Sequence, residues 1–468
     1  MKTSMTGAMT RRAALAALGS AVAAPAVARG GRSGPRRPNI LYIMADDMGH
    51  ADLGCYGSRN IRTPAIDAIA ARGVKFGNAY ANSCVCSPTR VALLTGRYQG
   101  RFRIGLEEPI AFNGAELSLP RGTRTLPGLL RDLGYTTSLV GKWHMGELPA
   151  SSPLDHGYDY FFGIASGGTD YFAHATSING HEMGKLFENR TEIDRPGYLT
   201  DLLGAKAIDR MQQAARQDRP FFISLHFTAP HWPWQGPGDA AQGSATADPR
   251  QMDGGNVRAY AAMMESMDAN VGRVLAELAR LGLEEDTIVI FTSDNGGERF
   301  SDSWPLTGMK GELLEGGIRV PLIVSWPAHL PQGRDSAQVT MSMDALPTLL
   351  SAAGGDPGRV EGLDGIDLMP FLRDVDSRTD RTLFWRHRAG DQIAVRSGQW
   401  KYLRSYGRDY LFDLSQDERE RADRKAAMPG KVAELKAAHA GWLAQMLPYP
   451  EHSYSEDMLG KFADRPRE

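Results

Sequence analysis

Four short apolar runs recur along the chain, and each one ends at polar or charged residues. They are NILYIMA from Asn39, TTSLVG from Thr136, FFISLHF from Phe221 and TIVIFTS from Thr287. Runs that are apolar throughout, rather than alternating, are typical of strands buried on both faces of a sheet. Helical patterns separate them, such as residues 256–282 before the last run. Strands alternating with helices predict a mostly parallel sheet covered by helices on both sides.

The pattern changes after Arg373. Residues 382–414 alternate apolar and polar positions around glycine-containing turns, which predicts antiparallel strands, and residues 431–446 predict an amphipathic helix. We therefore predict an α/β fold in two parts. A large central, mostly parallel (mixed) sheet sandwiched by helices occupies residues 38–373, and a smaller C-terminal α+β domain with an antiparallel sheet occupies residues 374–468.

The first residues have the composition of an export signal. Lys2 and the pair Arg11-Arg12 precede an alanine-rich apolar run that ends at Ala26-Val27-Ala28. This pattern predicts a signal peptide of the twin-arginine type over residues 1–28, followed by a polar linker over 29–37. No later segment approaches the ~20 apolar residues of a membrane span. We expect a bacterial protein that is exported through the twin-arginine translocase, periplasmic or secreted, without stable membrane insertion.

Overall charge and cysteine content exclude two classes of protein. The formal net charge is -2, which provides no basic surface for nucleic acid. The chain has 3 cysteines, too few for a disulfide framework, so its stability must come from packing.

The polar residues that follow the four runs are suited to one active site. In sheets of this kind, ligands bind beyond the carboxyl ends of the strands. Carboxylate and amide oxygens are hard ligands that suit Ca²⁺ or Mg²⁺ better than Zn²⁺. The residues at these strand ends are Asp46 and Asp47, Lys142 and His144, His231, and Asp294 and Asn295.

Two of the three cysteines lie in the stretch NSCVCSPTRVALLTGR. Ser87 is a suitable N-cap and Pro88 suits a first helical position, while Gly96 is expected to end the helix. A thiol at Cys86, beside the helix N-terminus and close to Arg90, is expected to have a depressed pKa. From the residues alone, Cys86 is either a reactive group at an anion site or a core cysteine beside a structural arginine.

The segment CSPTR from Cys86 to Arg90, followed by LTG at 94–96, resembles the signature of the type I sulfatases. In that arylsulfatase-like family, a maturation enzyme oxidises this cysteine to Cα-formylglycine. Cys84 does not fit the signature, because cysteine stands at position 86 where proline is required, and we expect it to be a packing residue. The resemblance covers residues 39–414 and implies an alkaline-phosphatase-like fold and the hydrolysis of sulfate monoesters to alcohol and inorganic sulfate.

The resemblance also implies a role for each residue. A hydrated aldehyde at position 86 would attack sulfur through one hydroxyl, and Arg90 would orient it. Lys142 and Lys310 would bind sulfate, His231 and Lys310 would lie near the leaving group, and His144 would contact the nucleophile's hydroxyl. The implied ligands of a Ca²⁺ ion, with Mg²⁺ as the alternative, are Asp46, Asp47, Asp294, Asn295 and the modified Cys86. His226 is assigned to packing.

Two other functions remain open from the sequence. A phosphatase or phosphonate monoester hydrolase of the same superfamily is one, although only the one-metal ligand set is found. The other is a non-catalytic glycan-binding protein in which Trp232, Trp234 and Tyr171 stack on sugars. For a sulfatase, a sulfated carbohydrate is the first expected substrate and an aryl sulfate the second. We expect residues 163–190 and 231–238 to set specificity.

Overall fold

The computed structural model describes Met1 and residues 37–110, 117–178, 181–240, 255–451 and 453. The predicted signal peptide beyond Met1 and residues 29–36 of the predicted linker lie outside the described residues. From Arg37 onward the chain is a compact unit. Among the described helices, none combines the length and hydropathy that a membrane crossing requires.

The described chain contains both strands and helices along most of its length. The strands are β1 (Asn39–Ala45), β2 (Val74–Phe76), β3 (Ala79–Tyr80), β4 (Thr136–Gly141), β5 (Tyr160–Ile164), β6 (Thr176–Ile178), β7 (His181–Met183), β8 (Leu186–Glu188), β9 (Thr191–Glu192), β10 (Phe221–His226), β11 (Thr287–Ser293), β12 (Leu322–Ser325), β13 (Arg334–Ser336), β14 (Thr340–Met341), β15 (Thr382–His387), β16 (Gln392–Ser397), β17 (Trp400–Ser405) and β18 (Arg408–Asp413). The helices are α1 (Pro64–Ala71), α2 (Cys86–Thr95), α3 (Leu126–Asp132), α4 (Leu199–Arg216), α5 (Val257–Arg280), α6 (Glu315–Ile318), α7 (Ala345–Ala352), α8 (Met369–Arg373) and α9 (Pro429–Leu443).

A 10-stranded mixed sheet forms the centre, in the order β13-β2-β12-β11-β1-β10-β4-β5-β8-β9. The five strands from β11 to β5 run parallel, whereas β12 and β8 pair antiparallel with their neighbours on either side. All four predicted runs are strands of this parallel core. The predicted mixed, mostly parallel α/β sheet is therefore confirmed.

Both faces of the central strand β1 are covered, which explains why its sequence does not alternate. Ile40, Tyr42 and Met44 belong to one apolar cluster, which also contains side chains of α3 and α7. Leu41 and Ile43 belong to a second cluster, which contains side chains of α4 and α5. Because every residue of β1 is buried, each position favours an apolar side chain until the strand ends.

The C-terminal part is a four-stranded antiparallel sheet, β15-β16-β17-β18, with α9 against it. This confirms the predicted smaller α+β part with an antiparallel sheet. Trp385 of β15 is fully buried, and its indole N–H donates to the Ala81 carbonyl at 2.8 Å. The small sheet is thus joined directly to the segment that leads into α2.

A buried ionic cluster makes a second connection between the small sheet and the rest of the chain. The Lys401 ammonium lies 2.9 Å from Glu315 Oε1 and 2.8 Å from Glu420 Oε1. The Glu315 N–H donates to Glu420 Oε2 at 2.6 Å. Burial and the neighbouring Glu315 raise the pKa of Glu420 to about 7, although Lys401 opposes the shift.

This cluster predicts a pH-dependent stability. Between pH values of about 4.5 and about 7, folded Glu420 keeps a proton that the unfolded chain has released. The free energy of unfolding should therefore fall as pH rises through this window, by at most about 1.4 kcal/mol per pH unit for one proton. Glu420→Gln should weaken this dependence of the free energy of unfolding on pH, as measured by urea unfolding at several pH values. Glu434→Gln on α9, whose side chain is 59% exposed, should keep the wild-type slope, and equal slopes in all three proteins would contradict the prediction.

Candidate active site

The strand ends that carry the predicted polar residues are neighbours in the sheet. The adjacent strands β11, β1, β10 and β4 end at the same edge because they run parallel. The structure accordingly brings together the side chains of Asp46, Asp47, Cys86 and His231, whose ligand atoms lie within 4.8 Å of one another. Lys310 joins them from the segment between β11 and β12.

The Asp47 carboxylate lies between four other side chains of this site. Its Oδ1 accepts a hydrogen bond from Asn295 Nδ2 at 2.7 Å and lies 3.8 Å from Cys86 Sγ. Its Oδ2 accepts from Lys310 Nζ at 2.5 Å and lies 3.5 Å from His231 Nε2. Burial raises the pKa of Asp47, but Lys310 and His231 outweigh burial and hold it below its usual value. Asp47 is therefore a carboxylate at neutral pH.

Arg90 organises the other half of the site from the buried helix α2. Its guanidinium donates to Asp294 Oδ2 at 2.7 Å and to the Lys142 carbonyl at 3.0 Å. Its Nη2 also lies 3.7 Å from Asp46 Oδ1. Lys142 Nζ in turn donates to Asp46 Oδ2 at 2.5 Å. One arginine thus spans the ends of β1, β4 and β11. Its neighbour His226, assigned to packing, is buried with Nδ1 3.5 Å from Arg90 Nη1.

The helix that carries Cys86 begins earlier than the sequence predicts. Cys86 is its first residue and Val85 takes the N-cap position, so Ser87 and Pro88 lie inside the first turn. The Ser87 hydroxyl instead accepts a hydrogen bond from the Ile110 N–H at 2.9 Å. Gly96 ends the helix with φ 67°, as predicted. Ser87 therefore holds the neighbouring loop and does not cap the helix.

The expected depression of the Cys86 pKa is wrong. Cys86 is 1% exposed, and burial raises the pKa of its thiol well above the usual value. Lys142 and Lys310 oppose this rise, while Asp46 and Asp47 add to it. Loss of hydration disfavours the thiolate more than the helix start favours it. An unmodified thiol at this position is protonated at neutral pH and is a poor nucleophile.

Both histidines of the site are neutral. Burial and the adjacent Lys310 lower the pKa of His231 well below its usual value, and burial and Lys142 do the same for His144. His231 Nδ1 lies 2.5 Å from the Trp232 carbonyl, and His144 Nε2 lies 2.8 Å from the Ile110 carbonyl. The buried His144 Nδ1 has no hydrogen-bond partner among the described residues. In each ring, therefore, one nitrogen contacts a backbone carbonyl and the other nitrogen does not.

The oxygen atoms at the strand ends fit a hard divalent cation. Asp46 Oδ1 and Asn295 Oδ1 are buried, and neither has a hydrogen-bond partner in the described part of the chain. Unsatisfied buried oxygens are costly unless a cation or water reaches them. Asp294 is less free, because Arg90 and the Asp47 N–H occupy its two oxygens. Carboxylate and amide oxygens in this number suit Ca²⁺ or Mg²⁺.

The aromatic residues proposed to stack on sugars are buried. Tyr171 is 0% exposed, Trp234 3% and Trp232 5%. The Tyr171 hydroxyl donates to the His231 carbonyl at 2.9 Å, and Trp234 packs edge-on against Phe300. Their burial contradicts the sugar stacking that the glycan-binding alternative assigns to them.

The glycine-rich segment 163–190 does reach the site, apart from residues 179 and 180, which lie outside the described residues. A Cβ on Gly167 would lie 2.7 Å from the His144 ring, and one on Gly168 would lie 3.0 Å from the His231 ring. The segment therefore needs glycine at this close approach to both histidines.

One neighbour was missed in the sequence. Glu298 Oε2 lies 3.9 Å from Lys310 Nζ. The feature of the sequence that could have identified Glu298 is its position directly after Asn295-Gly296-Gly297.

Comparison with known proteins finds relatives of this chain in sequence and in fold. The family model described as Sulfatase matches residues 38–355. The chain is 34% identical to mouse (Mus musculus) N-acetylgalactosamine-6-sulfatase over 387 residues, covering 78% of this chain and 72% of that protein. It is 35% identical to human (Homo sapiens) arylsulfatase A over 392 residues, covering 78% and 74%. The crystal structure of Ps i-CgsB in complex with k-i-k-neocarrahexaose matches with a TM-score of 0.81 and 29% identity, covering 90% of this chain and 96% of that one.

The buried position of Arg90 predicts a large effect of its removal on stability. Arg90→Met leaves the carboxylates of Asp46 and Asp294 without their shared partner, which should lower the free energy of unfolding by about 3–5 kcal/mol. Arg62→Met is the matched control, because Arg62 pairs with Glu265 on the surface and its side chain is 86% exposed. The control should change stability by less than about 1 kcal/mol. Similar losses for the two variants in urea unfolding would contradict the role given to Arg90.

Proposed function

Because the chain belongs to the sulfatase family, it is a sulfuric ester hydrolase, and we propose that it cleaves sulfate monoesters with a formylglycine at position 86 beside one divalent cation. The observation that carries this proposal is the position of Cys86. Cys86 is the first residue of a buried helix, and its Sγ lies 3.8 Å from Asp47 Oδ1. Ligand atoms of Asp46 and His231 lie within 4.8 Å of the same sulfur. Burial raises the pKa of an unmodified thiol at this position. The surrounding groups therefore suit a modified, hydroxyl-bearing residue better than a thiol.

We propose that Asp46, Asp47, Asp294 and Asn295 hold Ca²⁺ or Mg²⁺ together with the modified residue 86. A cation bound there would act as a Lewis acid on a sulfate oxygen and lower the pKa of the attacking hydroxyl. The formylglycine hydrate would supply that hydroxyl and, through its second hydroxyl, a route to release sulfate. Support comes from the buried oxygens of Asp46 and Asn295 that have no hydrogen-bond partner among the described residues.

Lys142 and Lys310 are proposed to bind the sulfate group. Burial lowers the pKa of Lys310, but Asp47 and Glu298 outweigh burial and raise it well above its usual value. Lys310 therefore carries a charge and a proton at neutral pH. Fixed cations around the sulfate oxygens stabilise the charge that develops as the S–O bond breaks.

Proton transfer is assigned to the histidines and Lys310. Because Lys310 is protonated, it can donate a hydrogen bond to the leaving oxygen, and neutral His231 beside it can relay a proton to that oxygen. In the described part of the chain, the buried His144 Nδ1 has no hydrogen-bond partner, which suits it to accept a proton from the hydroxyl of residue 86. Arg90 is a positioning residue, since it holds Asp294 and the Lys142 backbone.

The substrate is proposed to be a sulfated carbohydrate, with aryl sulfates as the second candidate. One similar protein is named for N-acetylgalactosamine-6-sulfate, and another was solved with k-i-k-neocarrahexaose. Residues 163–190 and 231–238 are proposed to contribute to specificity. We also propose a catalytic domain over 38–373 and a C-terminal subdomain over 374–468. Export through the twin-arginine translocase to the periplasm or medium, after modification by a formylglycine-generating enzyme, completes the proposal.

The first test is the chemical state of Cys86. Protein purified from a host with a maturation enzyme should yield a tryptic peptide of residues 76–90 in which the sulfur of Cys86 is replaced by a carbonyl oxygen. Tandem mass spectrometry should locate the change at Cys86 and leave Cys84 intact. Cys86→Ser, which supplies one hydroxyl only, should lose sulfate release from 4-nitrophenyl sulfate by about a thousandfold or more.

The matched control for this test is Cys84→Ser, which alters the neighbouring thiol in the same peptide and should remain modified at Cys86. An unmodified thiol at Cys86 in active enzyme would overturn the mechanism. Faster turnover of 4-nitrophenyl phosphate or a phosphonate monoester than of any sulfate ester would favour the phosphatase alternative.

The second test concerns the cation. Ca²⁺ added to chelator-treated protein should raise the thermal unfolding midpoint and restore sulfate release. At a concentration 100-fold above its Kd, Ca²⁺ should stabilise the fold by about 2.7 kcal/mol. Asn295→Ala should reduce the Ca²⁺-dependent shift, whereas Asp335→Asn, at an acid 75% exposed, should leave it unchanged. A thermal unfolding midpoint that changes with neither chelator nor Ca²⁺ would contradict a bound cation. A larger shift with Mg²⁺ would identify that ion instead.

A further inference from the structure

The segment 297–310 is a closed loop whose two ends lie at the active site. It begins two residues after Asn295 and ends at Lys310, whose backbone N–H donates to the Gly297 carbonyl at 2.9 Å. Compact surface loops with their ends close together are frequently functional. Whatever lies at the tip of this loop is therefore held near the reaction centre.

Trp304 lies at that tip and is exposed. Its side chain is 59% exposed, the largest exposed fraction of any aromatic residue in the part of the chain that the structure describes. The backbone beneath it is fixed, because the Trp304 N–H donates to Asp302 Oδ1 at 2.8 Å. The Asp302 N–H in turn donates to the buried Asp52 at 2.8 Å. An exposed tryptophan on an ordered loop presents an apolar ring and an indole N–H to a ligand.

A cation accompanies the exposed ring. The Arg419 guanidinium carbon lies 4.4 Å from the centre of the Trp304 ring. The Thr307 hydroxyl donates to the Arg419 carbonyl at 2.7 Å, which ties the arginine to the same loop. Arg419 forms no ion pair with any described residue, and its buried Nε has no hydrogen-bond partner there. The guanidinium is thus stacked on an aromatic ring while its charge is available to an anion.

We infer that Trp304 and Arg419 form a platform for a sugar unit next to the one whose sulfate is removed, so that the preferred ligand is a multiply sulfated oligosaccharide. The indole would pack against the apolar face of a pyranose ring, and the guanidinium would bind a second sulfate by charge-assisted hydrogen bonds. Lys310 lies six positions after Trp304, and such a segment spans at most about 22 Å. A single oligosaccharide can therefore reach both. The choice of ligand rests on the proposed sulfatase function.

Binding without turnover provides the test. Titration calorimetry on Cys86→Ala protein measures the Kd of two probes, a chondroitin 6-sulfate hexasaccharide and k-i-k-neocarrahexaose. Adding Trp304→Ala should raise the Kd of the better probe about tenfold, which corresponds to ~1.4 kcal/mol. Trp304→Phe should recover most of this loss. Arg419→Gln should weaken binding and reduce its dependence on salt concentration.

The matched control is Tyr406→Ala, which removes another aromatic ring, 58% exposed, from the turn between β17 and β18. It should leave the Kd unchanged. The platform is wrong if neither hexasaccharide binds, if Trp304→Ala binds as tightly as its parent, or if the Tyr406 variant loses as much. Because these measurements need no sulfate release, a protein that binds the probes but cleaves no sulfate ester would contradict the proposed function and leave the platform standing.

In the wild-type background the two substrate classes separate the platform from the reaction centre. Trp304→Ala should lower kcat/KM for the better hexasaccharide about tenfold relative to kcat/KM for 4-nitrophenyl sulfate, mainly through KM, since binding rather than chemistry is affected. An equal decrease for both substrates would show a general disturbance of the loop and would overturn the inference.

Discussion

The site depends on the neutralisation of three carboxylates that are buried where β1 and β11 end. An isolated charge in such a place costs several kcal/mol, and a partner with good geometry is needed to offset that cost. Each carboxylate has a cation from a different segment of the chain. The pairs are Lys142 with Asp46, Lys310 with Asp47, and Arg90 with Asp294. Segments far apart in sequence must therefore assemble around one cluster before any of the charges is satisfied.

In the proposed function, the same cluster would let Lys142 and Lys310 exchange their carboxylate partners for a sulfate group. Lys142 and Lys310 contact the carboxylate oxygens that a divalent cation would use. Three carboxylates already face three cations, so the dication proposed above would leave an excess of two positive charges, of which a sulfate monoester with one negative charge would offset half. Each ammonium would then trade a carboxylate oxygen for a sulfate oxygen. Asp47 and His144 both adopt left-handed backbone conformations, with φ 62° and 54°. Such strain costs about 1–3 kcal/mol per residue and is typical of functional sites.

The fold and the meeting of the strand ends could be predicted from the sequence because both follow from local patterns. Apolar runs without alternation identified the parallel strands, and the polar residues after them met because parallel strands end at one edge. The pKa of Cys86 and the burial of Trp234 could not be predicted this way. Both depend on how tightly distant segments close over a position, which no local spacing records. Trp304 was overlooked for the converse reason, since only the tertiary structure shows that the surrounding chain leaves it in solvent.

Burial of Cys86 would also limit when the proposed modification can take place. In the folded chain its side chain is 1% exposed, and every residue of α2 is buried. An enzyme that carries out the proposed oxidation of Cys86 would have to bind the surrounding peptide in an accessible form, so that reaction would precede closure of the core over this helix. The predicted twin-arginine signal leads to the same order of events, because that route exports proteins already folded. Modification, folding around the carboxylate cluster and export would then follow one another, with the aldehyde enclosed before the protein leaves the compartment in which it is made.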